Sequence, residues 1–238
     1  MNILALETIG VSASAALLED ESVIRTFSLD VSKRSTQALV PAVQAMLATA
    51  GRKPQDIDFV AVISGPGSFT GLRVGITFAK IFAYSVDAKL LAIPTLEVIA
   101  AGTPSQYAPL SVAIDAQRGE VMAQDFAFQS NEWMPQGERR LERVETWWKK
   151  ATAESFFLGG PVLARLAERL PATCRTVPAE FYAPNPVVLG RLAWHRFQAG
   201  EQSDLWNTLP IYSRLSAAEE RRNAKNLDSA ADKSVADT

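Results

Sequence analysis

The stretch from Phe59 to Gly75 constrains the fold more than any other part of the chain. Phe59-Val-Ala-Val-Ile-Ser64 is a continuous apolar run of the kind found in strands buried on both faces. It passes directly into Ser64-Gly-Pro-Gly-Ser-Phe-Thr-Gly-Leu-Arg-Val-Gly75, which opens a helix predicted over about 70–86. A strand covered on both faces and followed at once by a helix points to α/β architecture.

The flanking segments extend that reading. Residues 3–6, 12–18 and 22–29 read as three short strands, with Glu19-Asp20-Glu21 as a charged turn, and suggest an antiparallel meander. Residues 35–50 read as a helix closed by Gly51. Strand 90–93 and helix 95–101 complete the set. Strands are predicted again at 110–115 and 120–128, followed by helices at 161–170 and 186–199. Strands followed by alternating helices and strands, twice over, predict two related lobes. All five tryptophans lie after residue 130, whereas the first hundred residues favour small and β-branched side chains. The turn-prone stretch Gly102-Thr-Pro-Ser-Gln-Tyr-Ala-Pro109 separates the two styles. The expected division is an N-terminal lobe over 1–105 and a C-terminal lobe over 106–216, whose last helix packs back on the first lobe. Residues 217–238 hold no aromatic side chain, with four basic and five acidic residues, and are expected to form a disordered tail.

Charge and rare residues narrow the chemistry. Lys and Arg total 24 against 26 for Asp and Glu, a formal net charge of −2. That leaves no basic excess with which the chain alone would grip nucleic acid. A single cysteine, Cys174, excludes an intrachain disulfide and a cysteine-based zinc site. A single histidine, His195, removes most metal and acid–base constellations, and no metal ligand set is expected. Cys174 and His195 are read as structural or surface residues. The chain shows neither a bilayer-spanning run nor a basic leader, so a cytoplasmic protein is expected.

Two readings stand for the glycine-rich loop. Its glycines permit close backbone approach, Ser68 or Thr70 can cap the helix, and free amides at a helix N-terminus attract anions. Gly65, Gly67, Ser68, Thr70 and Gly71 would then cradle a phosphate or carboxylate, although no Lys follows Gly71 as in a P-loop. Alternatively, the glycines only permit a tight strand-to-helix turn. Two acids stand at strand ends, Glu7 beside Thr8 in the first lobe and Asp115 in the second. They could face a metal–nucleotide between the lobes, or each could cap its own turn.

Two helices speak to partners. Between Ser35 and Gly51 there is no charged residue, and Ala38, Ala42 and Ala45 share one face. Between Thr70 and Asp87 the only charges are Arg73, Lys80 and Asp87, which form one narrow stripe, with Ile76, Phe78 and Phe82 among the apolar residues around the rest. These helices either cover each other within the monomer or form a subunit interface, and so long an uncharged surface favours an interface at Ala38, Ala42, Ala45, Ile76, Phe78 and Phe82.

The residues just described resemble the TsaB (YeaZ) family. The glycine-rich segment Ser64–Gly75 looks like that family's signature, and agreement extends over roughly residues 1–215. Asn2-Ile-Leu-Ala-Leu-Glu-Thr8, Ser35-Thr-Gln-Ala-Leu-Val-Pro41, Ile114-Asp-Ala-Gln-Arg-Gly-Glu120 and Leu209-Pro-Ile-Tyr-Ser-Arg214 are similar to its other motifs. The resemblance implies the two-lobed actin/sugar kinase/Hsp70-like (ASKHA) fold. It implies a non-catalytic scaffold and activator in the formation of threonylcarbamoyladenosine next to the tRNA anticodon. The implied partners are the catalytic TsaD-type subunit as a heterodimer, the TsaE-type ATPase and a second copy as a homodimer. ATP and Mg are then needed at the level of the complex, and tRNA is met only through it. The family's first strand usually ends Asp-Thr-Ser, where this chain has Glu7-Thr8-Ile9. A His is also usual near the start of its first helix, where this chain reads Arg34-Ser-Thr-Gln37. The nucleotide site is therefore expected to be vestigial. The competing class is an autonomous ATPase or kinase of the same fold.

Overall fold

The computed structural model of the chain describes residues 1–29 and 35–214. Arg34 and the tail expected from residue 217 onward lie outside the described residues. In chain order the first lobe opens with β1 (Asn2–Glu7), β2 (Ser14–Glu19), β3 (Ser22–Ser28) and α1 (Ser35–Thr49), then β4 (Phe59–Gly65), α2 (Phe69–Val86), β5 (Lys89–Pro94) and α3 (Thr95–Ala101). The second lobe follows with β6 (Leu110–Asp115), β7 (Glu120–Gln129), β8 (Glu132–Arg143), α4 (Val144–Ala153), β9 (Phe157–Gly159), α5 (Leu163–Leu166), β10 (Arg175–Thr176) and α6 (Pro186–Gln198).

The two lobes repeat one topology. The first sheet has the order β3-β2-β1-β4-β5 and the second β10-β9-β6-β7-β8. In each, three strands form an antiparallel meander, a fourth pairs in parallel with the first strand of that meander, and a fifth pairs in parallel with the fourth. This is the expected two-lobed α/β architecture.

Strand alternation sorts the first lobe's core into two layers. Leu4, Leu6, Leu17, Val60 and Val62 meet Leu39, Val43 and Leu47 of α1 and Ile76, Ala79 and Ala83 of α2. Ile3, Ala5, Leu18, Phe59 and Ile63 meet Val98 of α3 and Leu189 and Ala193 of α6. All seven residues of β4 are buried, which accounts for its unbroken apolar run. Helix α6 belongs by sequence after the second lobe, yet it packs on β1 and β2. Helix α3 lies between the lobes: Val98 joins the first core, while Leu96 and Ile99 join Leu110, Val112 and Phe126 of the second.

The second lobe differs most from sequence expectation. The helix expected over 161–170 is a single turn, Leu163–Leu166, and the short strand Arg175–Thr176 follows it. Strand β8 and helix α4 were not anticipated. Most of β8 is exposed, and Pro135 and Gly137 interrupt its pattern, so period-two alternation is missing. Helix α4 supplies Trp147 and Trp148 to the core on the sheet's outer face.

After α6 the chain returns across the first lobe as a strap. Ser203 bonds β5 through its amide to the Leu90 carbonyl and through its hydroxyl from the Ala92 amide. Lys80 of α2 donates to the carbonyls of Trp206 and Thr208 at 2.8 and 3.2 Å. The Ile211 amide donates to the Ser64 carbonyl at 2.7 Å. Arg214 then crosses to the second lobe, donating to the Ala116 carbonyl and pairing with Glu120.

Candidate functional site

The lobes face each other across a cleft of about 610 Å³, walled in part by Ile9, Gly10, Ser68, Asp115, Tyr212 and Arg214. Topology brings the two strand-end acids to this region, because β1 and β6 occupy equivalent positions in the two sheets. Each acid is held by its own lobe. Asp115 accepts the Gln117 amide at 2.9 Å and is gripped on both oxygens by Arg165, at 2.6 and 2.7 Å. Glu7 is 4% exposed. Its Oε1 accepts the amides of Ile9 and Gly10 at 2.7 and 2.8 Å, and its Oε2 accepts the Ser14 hydroxyl at 3.0 Å. Burial pushes the Glu7 carboxyl above its ordinary value, against the amides of Gly10 and Ile9 and the Ser14 hydroxyl, which act to lower it. The turn-capping reading of both acids describes this geometry.

The glycine-rich loop resolves in the same direction. Ser68, not Thr70, caps α2, with its Oγ accepting the Gly71 amide at 3.2 Å. Thr70 is exposed in the first turn of the helix. Gly71 and Gly75 let α2 ride directly on Thr8: a Cβ on Gly71 would collide with the Thr8 carbonyl, and one on Gly75 with the Thr8 hydroxyl. That hydroxyl donates to the Gly71 carbonyl at 2.7 Å. A Cβ on Gly67 would come within 2.8–3.0 Å of the Ile9 side chain, so Ile9 lies over the loop. Gly65 ends β4 beneath the Ile211 carbonyl of the strap. The glycines thus serve packing between α2 and the β1–β2 turn. A Mg–nucleotide finds few free partners here: Glu7 takes the amides of Ile9 and Gly10, Arg165 takes both oxygens of Asp115, and Ile9 lies against Gly67.

Cys174 and His195 do not converge. Cys174 is half-buried beside Thr152, 3.3 Å from its hydroxyl, in the second lobe. His195 lies on α6 at 2.9 Å from Glu21 of the first.

The outer face of α1 and α2 takes shape from the strap. Arg73 donates to the Tyr212 hydroxyl at 3.0 Å and stacks over Phe69, and Lys80 is held by strap carbonyls. The charged stripe of α2 therefore lies along the strap, and the rest of its exposed face is uncharged, with Ile81 and Tyr84 alongside Thr77 and Ser85. Ile81 and Tyr84 are 64% and 67% exposed, and Trp206 of the strap meets Tyr84 edge to face. On α1, Val40 and Ala45 are exposed while Ala38 and Ala42 are half-buried. Phe78 and Phe82 of α2 are half-buried and pack on each other. Ile76, counted with the surface in the sequence reading, is instead 3% exposed in the core, because it points to the sheet.

The TsaD family model, described as tRNA N6-adenosine threonylcarbamoyltransferase, matches residues 29–174, more than half of the chain. The tRNA threonylcarbamoyladenosine biosynthesis protein TsaB of Bacillus subtilis is 36% identical over 121 residues, which cover 51% of this chain and 53% of that protein. Its Escherichia coli counterpart is 38% identical over 123 residues, with the same coverage. The solved structure of YeaZ from Pseudomonas aeruginosa superposes with a TM-score of 0.74 at 26% identity, covering 89% of this chain and 99% of that one. The chain belongs to this family, in its TsaB (YeaZ) group. It spans about half the length of the curated relatives it matches. The YeaZ superposition covers 89% of the chain and so takes in both lobes. No helix among the described residues is long and apolar enough to cross a membrane.

Proposed function

We propose that this TsaB-group chain takes part in forming threonylcarbamoyladenosine on tRNA as a non-catalytic scaffold and activator. In this reading it binds a TsaD-type catalytic subunit through α1 and α2, works alongside a TsaE-type ATPase, and meets tRNA only through the assembly, in the cytoplasm. The observation that carries the reading is the set of large apolar side chains exposed on these two uncharged helix faces, Val40 of α1 and Ile81 and Tyr84 of α2. Exposed apolar surface of this kind marks a site of protein–protein contact. A second copy of the chain could use the same face. The cleft supports the reading from the other side, since its two acids are committed to Arg165 and to backbone amides.

The test is a transfer assay with purified threonylcarbamoyl-adenylate donor and tRNA. Modified tRNA is expected only when a TsaD-type subunit is added, together with a stable complex in size-exclusion chromatography. Robust transfer by this chain alone would overturn the proposal. The autonomous ATPase reading draws on the interlobe cleft, and steady-state ATP hydrolysis by the purified chain, or micromolar ATP affinity in calorimetry, would favour it.

A further inference from the structure

Successive backbone amides that converge on one point form a concavity for an anion. The β1–β2 turn makes such a concavity from the amides of Ile9 and Gly10, completed by the Ser14 hydroxyl. It lies at the cleft, where Ile9 and Gly10 are part of the wall. In this chain the concavity is filled from within. One oxygen of Glu7 takes both amides and the other takes the hydroxyl, in the geometry an oxyanion would adopt. The methylene that distinguishes Glu from Asp gives the side chain the reach to curl back over residues two and three positions ahead. Ile9 closes the opposite wall by lying on Gly67.

We propose that Glu7 is a resident anion: its carboxylate takes the place of an external oxyanion such as a phosphate, and holds the first cleft turn in its ordered, loaded arrangement without a ligand. The turn in question also supports α2, because Thr8 bonds the Gly71 carbonyl and Ile9 covers Gly67. An ordered turn therefore keeps the helix in register whatever the nucleotide supply. This holds whether or not the chain meets a catalytic partner, so it stands or falls apart from the assembly reading.

Removing the internal anion should expose a site for a small external one. Formate and inorganic phosphate are the probes, since each is small enough to take the place of a side-chain carboxylate. Thermal unfolding of the native chain, Glu7→Ala and Glu7→Gln is compared in sodium chloride, formate and phosphate at equal ionic strength. The native chain and Glu7→Gln, whose carboxamide oxygen still accepts the amides, should respond equally to the three salts. Glu7→Ala should melt about 5 °C or more lower in chloride, as expected for losing hydrogen bonds to a buried charge. It should recover part of that loss in formate and in phosphate, with a saturable dependence on anion concentration. If Glu7→Ala is unfolded in chloride, folding that returns in formate or phosphate carries the same meaning. A Glu7→Ala chain as stable as the native one, or one that no anion rescues while Glu7→Gln folds normally, would overturn the proposal.

Discussion

Arg165 closes both carboxylate oxygens of Asp115 from fifty residues away, Nη1 to Oδ2 at 2.6 Å and Nη2 to Oδ1 at 2.7 Å. The pair removes from the cleft a carboxylate that, by position alone, would suit a metal. Bidentate geometry gives it direction, but Arg165 is 59% exposed, so water screens most of its energy. Arg165→Ala is expected to cost less than about 1 kcal/mol in urea unfolding. A loss beyond about 3 kcal/mol would mean that the pair holds the lobe together rather than occupying the acid.

Helix α2 rests on the β1–β2 turn through the contact between Gly75 and Thr8. Helix propensity alone favours Ala over Gly by about 1 kcal/mol. The added methyl meets the Thr8 hydroxyl, and overpacking of this kind costs about 1–3 kcal/mol. Gly75→Ala should therefore destabilise the chain. Its cost should fall by at least about 1 kcal/mol in a Thr8→Ala background, measured as a double-mutant cycle by denaturant unfolding. Strict additivity would show that the two residues do not meet.

A buried network in the second lobe sets the acid limb of stability. The Trp147 indole donates to the Ser111 hydroxyl at 2.9 Å, which donates to Asp125 at 2.6 Å, and Arg140 and Lys150 flank the same carboxylate. Burial pushes the Asp125 carboxyl up, but hydrogen bonds from Arg140 and Ser111 and the charges of Arg140 and Lys150 outweigh it and hold the group below its ordinary 3.8. A carboxyl held low binds fewer protons folded than unfolded, so its stabilisation is present above pH 3.8 and is lost as the pH falls below that value. Asp125→Asn should cost about 2–3 kcal/mol at neutral pH and flatten the stability profile below pH 3.8. Glu7 acts in another window: burial raises its carboxyl above 4.5, so part of its contribution is lost as the pH rises through the folded pKa and the buried carboxylate forms, while the hydrogen bonds from the Ile9 and Gly10 amides and the Ser14 hydroxyl remain. A profile unchanged below pH 3.8 in Asp125→Asn would assign the acid limb to other groups.

The proposed partner face can be tested without disturbing the core. Ile81 is 64% exposed, so Ile81→Glu should leave the melting temperature within about 2 °C of native. At the centre of a desolvated interface the same charge costs several kcal/mol. Ile81→Glu and Ala45→Glu should give folded chains that no longer capture a TsaD-type subunit or a second copy in pull-down and light scattering. Unchanged capture by both would place the interface elsewhere.

The first lobe was legible because its signals are local. Its β4 run, its meander and the glycine-rich opening of α2 appear within two residues of their structural bounds, since burial on both faces leaves a continuous apolar pattern. The second lobe was less so. Exposed β8 has no face pattern to read, and the apolar period over 161–170 belongs to a single helical turn flanked by isolated hydrogen-bonded turns, such as Leu163 N–H to Gly160 C=O and Arg169 N–H to Leu166 C=O. The same locality limited the site. Glu7, Asp115 and the glycines were visible as residue types in position, but their partners were not.

By itself the sequence determined the two-lobed α/β class, the family, and the residues that stand at the cleft, because strand burial and turn chemistry are written within short stretches of chain. Tertiary structure alone decided what those residues do. Arg165 reaches Asp115 across fifty residues, Ile211 crosses over Gly65, and Thr8 meets Gly71 and Gly75 only when β1 and β4 pair in parallel. Long-range packing, which no periodicity encodes, set Thr8 and Ile9 against the glycine-rich loop and left the Glu7 carboxylate on the amides of its own turn.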